Sequence, residues 1–216
     1  MASLATSSNI KIVPLVSEYR QAVVNLLMSS FFIQEPLNAQ LQFDIPHEPL
    51  TWIDYLVDGS LRTQCSFVAI DTTSPYQSVI GVILNGISDR ARQEKDLIVE
   101  SEKLNFIFSL FDKVSNGSDL FELYKTDQLF HFDIINVDEH QRRQNISGRL
   151  IETSEEKARQ LGLKAAFVIC SGLYSRKAFE RRQYDVINEI LYAIHGNGRL
   201  NDMGEHDRCS LLAKQL

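Results

Sequence analysis

Apolar and polar positions follow two different spacings along this chain, one typical of helices and one typical of strands. After Ser17 the apolar residues recur at helical spacing, which predicts a helix capped by Ser17 that ends before Pro36. The segment 51–59 has the same character and predicts a short helix closed by Gly59. Residues 89–113 are first charged and then amphipathic, and they predict another helix.

Short runs rich in β-branched and aromatic residues lie between these helices and predict strands. The strands are predicted at 66–70, 78–87, 129–137, 164–170, 186–194 and 208–214, the first two forming a hairpin across the turn 72–77. Later helices are predicted at 147–163, stopped by Gly162, and at 173–182, whereas loops are predicted at 115–119 and 196–205. This order predicts an α/β fold, a mixed central β-sheet flanked by helices, with ligands at the strand carboxyl ends.

The length of 216 residues suits one well-buried core better than two. We therefore expect a flexible N-terminus at 1–10 and a single domain at 11–216. The hydrophobic fraction of 44% and the charged fraction of 23% are ordinary for a globular protein.

The net charge of −6 argues against a nucleic-acid partner, which would need a broad basic face, and it mildly suits a cationic substrate. No stretch of about 18 apolar residues appears and no apolar h-region follows Met1, so we expect neither secretion nor a membrane partner. No feature indicates an obligate protein partner.

The cysteines and histidines carry no metal-site or disulfide pattern. Cys65, Cys170 and Cys209 form an odd set without a C-x-x-C pair, which favours a reducing cytoplasm as the compartment. The five histidines lack ligand spacing, so no metal is expected. Cys170 is better explained as a small buried residue than as a nucleophile, because no activating base is evident.

The basic turn 142–148 lies between a predicted strand and a predicted helix. A helix start offers unpaired N–H groups and a positive dipole end to a phosphate. Asn145 tolerates a left-handed backbone, and Ser147 and Gly148 are small enough to let a ligand approach. An ordinary helix start capped by Ser147 explains the same residues.

Two further segments carry candidate chemistry. Glu35 precedes Pro36, which forces an extended backbone and gives the carboxylate a defined direction. This carboxylate could be a base in a cleft or a solvated loop residue. The segment 170–175, C-S-G-L-Y-S, places the hydroxyls of Ser171, Tyr174 and Ser175 at a strand-to-helix junction, where Ser171 also suits an N-cap.

These motifs together resemble a known enzyme family. The run R-R-Q-N-I-S-G-R-L after a strand resembles the acetyl-CoA motif Q/R-x-x-G-x-G/A of the GCN5-related N-acetyltransferase (GNAT) superfamily, with Asn145 and Ser147 at the two small-residue positions. With E-P-L-N at 35–38 and C-S-x-x-Y-S at 170–175, the chain resembles insect arylalkylamine N-acetyltransferases, which include dopamine N-acetyltransferases. The likeness extends from about residue 10 to the closing strand.

The resemblance implies a GNAT fold, acetyl-CoA as co-substrate and a small-molecule amine as acceptor. It assigns Glu35 as general base, Ser171 and Ser175 as its partners, and Tyr174 or Ser175 as the proton donor to the thiolate. It assigns the cofactor to the end of the preceding strand and to the turn: Ile135, Val137, Arg142, Arg143, Gln144, Asn145, Ile146, Ser147 and Gly148.

The acceptor stays open among several classes. Phe32 and Phe43, with Phe31 and Trp52 near them in sequence, could wall an aromatic amine such as dopamine, serotonin, tryptamine or octopamine, or could be core residues. Polyamines, histamine or agmatine would suit an acidic cleft, and a protein that binds acyl-CoA without turnover is the third alternative.

Overall fold

A computed structural model describes residues 9–73, 78–91 and 101–216 of the chain. Within these ranges seven strands form one mixed sheet in the order β1-β2-β3-β4-β5-β7-β6. The strands are β1 Ile10–Pro14, β2 Phe67–Asp71, β3 Ser78–Asp89, β4 Gln128–Val137, β5 Ala165–Cys170, β6 Asp185–Leu191 and β7 Arg208–Gln215. β4 and β5 are parallel, and the other neighbours are antiparallel. The predicted single-domain α/β fold with a mixed sheet is confirmed.

Helices cover both faces of this sheet. They are α1 Arg20–Leu26, α2 Phe32–Gln34, α3 Pro36–Leu41, α4 His47–Thr63, α5 Glu102–Ser115, α6 Leu120–Tyr124, α7 Ile146–Gln160, α8 Leu173–Glu180 and α9 Tyr192–His195. A 3-10 turn at Ser17–Tyr19 leads into α1, and a π-helical turn at Leu27–Phe31 joins α1 to α2. Among the described residues, no helix has the length and apolar character that crossing a membrane requires.

Alternate residues of each central strand face two separate hydrophobic clusters. On β3, Val82 and Leu84 belong to the cluster that packs α1, α4 and α5, whereas Ile83 belongs to the cluster that packs α7 and α8. Because successive strand side chains point to opposite faces, the two clusters lie on opposite sides of the sheet. The central strands are thus buried on both faces, which explains why they are nearly continuous apolar runs.

β4 and β5 diverge in the middle of the sheet. Their parallel ladder ends at the pair Phe132–Val168, although β4 continues to Val137 and β5 to Cys170. At the same point the register of β4 against β3 shifts, which leaves Asp133 as an extra residue. Such a bulge bends a strand. Among the described strands, none pairs with the β5-facing backbone of the second half of β4, and a cleft opens between β4 and β5.

Some predicted elements differ from the structure. The helix predicted at 51–59 is longer, because the buried face of α4 continues through Val57 and Ser60; Gly59 lies inside it, and left-handed Gln64 ends it. The strand predicted at 186–194 ends at Leu191, where α9 begins.

Other predictions fall partly on residues outside the described ranges. These are residues 1–8 of the predicted flexible N-terminus, 74–77 of the predicted turn and 92–100 of the predicted helix 89–113. The described part of that helix is α5. At the N-terminus, Ile10 is already the buried first residue of β1.

Candidate active site

Glu35 lies at the break between α2 and α3. Its backbone is extended, with φ −64° and ψ 132°, as expected for a residue that precedes proline. Pro36 begins α3, and the Glu35 carboxylate accepts a hydrogen bond from the N–H of Asn38 at 2.8 Å. The segment E-P-L-N is therefore an N-cap that holds the carboxylate in one orientation.

Ser171 contacts this carboxylate from the end of β5. Its hydroxyl donates to Oε1 of Glu35 at 2.6 Å, and its carbonyl accepts a hydrogen bond from the Tyr192 hydroxyl at 2.8 Å. Gly172 permits the approach, because a Cβ there would lie 3.0 Å from Cγ of Pro36. Gly172 is also the N-cap of α8, so Ser171 does not cap that helix.

Burial raises the pKa of Glu35 above the ordinary glutamate value, although the hydrogen bonds from Ser171 and from the backbone N–H of Asn38 and Leu37 lower the pKa. Desolvation disfavours the charged form of a carboxylate and is the largest of these effects. A raised pKa brings a carboxylate closer to the working range of a general base near neutral pH. The structure thus gives Glu35 both a fixed direction and a higher basicity than a surface glutamate.

The raised pKa has a consequence for stability. A group whose pKa is higher in the folded state stabilises the fold below the unfolded-state pKa of about 4.3, and this contribution is lost as pH rises through the folded-state pKa. We expect the melting temperature of Glu35→Gln, relative to wild type, to increase between about pH 4 and about pH 8. Exposed Glu18 offers the matched control Glu18→Gln. A relative melting temperature that falls as pH rises would contradict burial as the dominant effect.

The other two hydroxyls of the segment 170–175 point elsewhere. Ser175 donates to the carbonyl of Gly172 at 2.9 Å, within the first turn of α8. Tyr174 is 65% exposed and donates to Glu205, which raises the pKa of the phenol. Of the three predicted hydroxyls, the structure brings only Ser171 into hydrogen-bond contact with Glu35.

Residues before β7 complete this side of the site, and the sequence pattern did not single them out. Nδ1 of His206 accepts the N–H of Leu173 at 3.0 Å and lies close to Gly172. Tyr192 is buried, and burial raises the pKa of its phenol, so it stays a neutral donor to Ser171. The glycine-rich character of 196–205 predicted a loop there but gave no signal of contact with α8.

Cys170 lies directly before Ser171 and is buried. Burial raises the pKa of its thiol to about 12, so the thiol is protonated at neutral pH. Among the described residues, no cluster of His, Cys, Asp and Glu side chains has the arrangement of a metal site.

The predicted anion-binding turn connects β4 to α7. Ile146 is the buried first residue of α7, and Gly81 on β3 lets it pack closely, since a Cβ on Gly81 would lie 3.3 Å from its side chain. Within the described residues, the N–H groups of Ile146, Ser147 and Gly148 make no hydrogen bond, and no side chain caps the helix. This terminus therefore presents free donors to an anion.

The basic residues of the turn lie at its surface. Arg142, Arg143 and Gln144 are exposed, and Arg143 and Asn145 have left-handed backbones with φ of 65° and 55°. Ile135 and Val137 lie on the unpaired half of β4, so their backbones border the same cleft.

Gln34 connects the turn 142–148 to Glu35, its neighbour in sequence. The guanidinium of Arg142 donates to Oε1 of Gln34, and Nε2 of Gln34 donates to Glu139 at 2.9 Å. The chain at 34–36 thus contacts the residues after β4 through Gln34 and the residue after β5 through Glu35. It bridges the open ends of the two diverging strands.

The aromatic candidates form one cluster of rings. Phe32 is 1% exposed and Phe43 is 8% exposed, and both belong to the core that packs α1 and α4. Phe31 is only partly buried, and its ring meets that of Phe32 edge to face at 5.3 Å. Phe32 and Phe43 are thus core residues, and their contact with an acceptor stays a prediction.

Comparisons with known proteins agree with this fold. No family model matches the chain. Arylalkylamine N-acetyltransferase 2 from Aedes aegypti is 25% identical, with a TM-score of 0.81 over 96% of this chain and 99% of that chain. A putative arylalkylamine N-acetyltransferase 7 from the same mosquito is 18% identical, with a TM-score of 0.84 over 95% and 87%. A Drosophila melanogaster polyamine N-acetyltransferase is 20% identical, with a TM-score of 0.75 over 96% and 100%.

The two solved structures that are 18% and 20% identical show a shared fold alone. Arylalkylamine N-acetyltransferase 2 from Aedes aegypti is 25% identical over almost the full length of both chains. This chain also has the diverging strands β4 and β5, an uncapped N-terminus of α7 and a hydrogen bond between Ser171 and Glu35. The predicted resemblance is therefore confirmed. The chain has the fold of the GCN5-related N-acetyltransferases and resembles insect arylalkylamine N-acetyltransferase-like proteins.

Proposed function

We propose that this protein transfers the acetyl group of acetyl-CoA to the primary amine of an arylalkylamine, by direct attack in a ternary complex. The observation that carries the proposal is the hydrogen bond between Ser171 and Glu35, which fixes a carboxylate of raised pKa at the open end of the β4–β5 cleft. The free N–H donors at the start of α7 follow β4, the other strand that borders this cleft.

The residues at the cleft fit the co-substrate. The unpaired N–H groups at the start of α7 are donors for a diphosphate, and exposed Arg142 and Arg143 add positive charge. The unpaired edge of β4, which includes Ile135 and Val137, offers backbone donors and acceptors to an extended amide-bearing chain. When bound, acetyl-CoA supplies an activated acetyl thioester.

Glu35 would act on the acceptor. An alkylamine with a pKa near that of lysine, about 10.4, is almost wholly protonated at neutral pH and has no lone pair for attack. Glu35 removes that proton, directly or through water, and Ser171 holds the carboxylate in place. The freed amine attacks the thioester carbonyl, and backbone N–H groups on the unpaired half of β4 stabilise the oxyanion.

The departing thiolate needs a proton, and two side chains are candidate proton donors. Tyr174 keeps its proton because its pKa is raised, but its hydroxyl is directed to Glu205. Ser175 lies in the first turn of α8 and donates to the carbonyl of Gly172. Either donor must break its present hydrogen bond, so we propose both as candidates.

The aromatic acceptor is supported by two observations. The partly exposed ring of Phe31 precedes Glu35 by one helical turn and is backed by Phe32 and Phe43. The solved structure at 25% identity is named an arylalkylamine N-acetyltransferase. An aromatic face near the base suits the apolar body of such an amine.

An aliphatic acceptor is the second candidate. The solved neighbours include an agmatine N-acetyltransferase and a polyamine N-acetyltransferase described as forming N-acetylagmatine. The net charge of −6 and the carboxylate of Glu205 beside Tyr174 would suit a second cationic group.

A thiol-release assay over a panel of amines tests the function. We expect the highest kcat/KM with dopamine, serotonin, tryptamine or octopamine, and lower values with spermidine, histamine and agmatine. If only the aliphatic amines are turned over, the acceptor is an aliphatic amine, and the proposed acetyl transfer still holds. Tight binding of CoA without thiol release for any amine would contradict an enzymatic role.

A further inference from the structure

Asn136 is a buried polar residue on the half of β4 that borders the cleft. It is 8% exposed and lies two residues after Ile134, which belongs to the hydrophobic cluster that packs α1, α4 and α5. Side chains alternate along a strand, so Asn136 faces the same side of the sheet as this cluster. On β5, Ile169 packs against the cluster, and the same alternation places Ser171 on that side. Asn136 and Ser171 thus share one face of the sheet and lie on opposite sides of the cleft.

The carboxamide of Asn136 has a hydrogen-bond partner at its oxygen but not at its nitrogen. Oδ1 accepts a hydrogen bond at 3.3 Å from the hydroxyl of Ser30, a buried residue of the π-helical turn Leu27–Phe31. Nδ2 is buried and has no partner among the residues that the structure describes. A buried donor without a partner destabilises a fold, and native proteins keep few of them. This NH2 group is therefore suited to a ligand that accepts hydrogen bonds.

The turn that holds Asn136 also leads to Glu35. The N–H of Glu35 donates at 2.9 Å to the carbonyl of Phe31, the last residue of the π-helical turn. Such turns are rare and often occur at functional sites. One short segment of chain thus contacts the carboxamide on the β4 side of the cleft and places the base on the β5 side.

The chemistry of the two substrates decides which group this donor can bind. An ammonium group has only donors, and a free amine needs its single lone pair for attack. The thioester carbonyl oxygen is an acceptor, and it becomes negative when the amine nitrogen bonds to the carbonyl carbon and the carbonyl electron pair moves to oxygen. The pair returns as the C–S bond breaks and the thiolate leaves. A fixed N–H donor is most effective at such a developing charge.

We propose that Asn136 is a side-chain donor to the carbonyl oxygen of the acetyl thioester, and that Ser30 holds its carboxamide in place. This inference rests on the proposed function, because it concerns the same reaction. Asn136 is then a catalytic residue that acts beside the backbone N–H groups of β4. Ser30 is a positioning residue, since it contacts Asn136 and not the substrate. The donor that is unpaired in the free protein gains its partner in the transition state.

Replacing Asn136 by leucine removes the donor and keeps the size of the side chain. We expect kcat to fall about 10² to 10³-fold for every amine that is turned over, as when one oxyanion donor is removed. KM for acetyl-CoA should stay within about twofold, because the interaction forms in the transition state. The melting temperature should not fall, because leucine replaces a buried NH2 group that has no partner. Steady-state kinetics and thermal unfolding measure these effects.

Two adjacent serines supply a matched pair of variants. Ser30→Ala removes the hydrogen bond to Oδ1 but keeps the N–H donors, so kcat should fall, and by less than in Asn136→Leu. Ser29 is exposed, and its hydroxyl donates to the carbonyl of Leu26 at 3.4 Å. Ser29→Ala should therefore keep the wild-type kcat.

The possible failures are distinguishable from one another. Wild-type kcat in Asn136→Leu would remove Asn136 from the reaction and leave the proposed function standing. A loss confined to amines with a hydroxyl group, such as octopamine but not tryptamine, would place Asn136 against the acceptor instead. Unfolding or a lower melting temperature in Asn136→Leu would indicate a structural role. If the wild type releases no thiol with any amine, the inference and the proposed function fail together.

Discussion

Replacing Glu35 by glutamine should lower the turnover of an arylalkylamine by about 10² to 10⁴-fold, the range that a positioned acid or base contributes. The amide cannot accept the proton of the ammonium group, so reaction must wait for the small fraction of free amine in solution. That fraction grows as pH approaches about 10.4, so the deficit should be largest near neutral pH and smaller in alkali. Steady-state kinetics across pH measure both effects.

The affinity for acetyl-CoA should hardly change in this variant, because Glu35 contacts Ser171 and α3 and not the turn before α7. Glu18→Gln, which changes an exposed glutamate, should keep both turnover and affinity. The apparent pKa of the acid limb of the wild-type kcat/KM profile should lie above the ordinary pKa of glutamate, because burial raises the pKa of Glu35. Full activity of Glu35→Gln at every pH would remove Glu35 from the mechanism.

Removing the hydroxyl of Ser171 should reduce turnover by about 10²-fold, since a small misplacement of a catalytic group can have that effect. The hydrogen bond from Ser171 lowers the pKa of Glu35, and its loss should raise that pKa further. The acid limb of kcat/KM in Ser171→Ala should therefore move to higher pH. A structural defect alone would lower the rate without moving this limb.

Ser175→Ala is the matched control, because it removes a hydroxyl one helical turn away that bonds to Gly172 and not to Glu35. Its acid limb should stay where the wild-type limb lies. If both serine variants moved the limb equally, the contact between Ser171 and Glu35 would not explain the effect. Ser171→Thr keeps a hydroxyl and should recover part of the lost rate.

Most strands could be predicted from the chain, and several helix boundaries could not. The buried strands β2, β3, β4, β5 and β7 are apolar runs bounded by polar turns, and this pattern needs no knowledge of their neighbours. α4 instead passes through Gly59, because packing of its buried face outweighs the local preference of one glycine. β1 and α6 are five residues each and were missed, since so short a segment carries little periodic signal.

The candidate site was predicted in part. The strand, basic turn and helix around Asn145 are contiguous, so one segment of sequence contains both the free N–H donors at the start of α7 and the residues that surround them. The contributions of Gln34, Tyr192 and His206 were missed, because each acts through a partner distant in the chain. The core positions of Phe32 and Phe43 likewise depend on rings from other elements.

By itself the sequence determined the direction of Glu35 before Pro36 and the order of strand, turn and helix that exposes the donors of α7, because both depend on dihedral limits and capping within a few residues. Tertiary structure alone decided that Glu35 contacts Ser171, which lies 136 residues away, and that β4 diverges from β5 at Asp133. Those two features follow from the close packing at Gly172 and the register of three strands, which no local preference encodes.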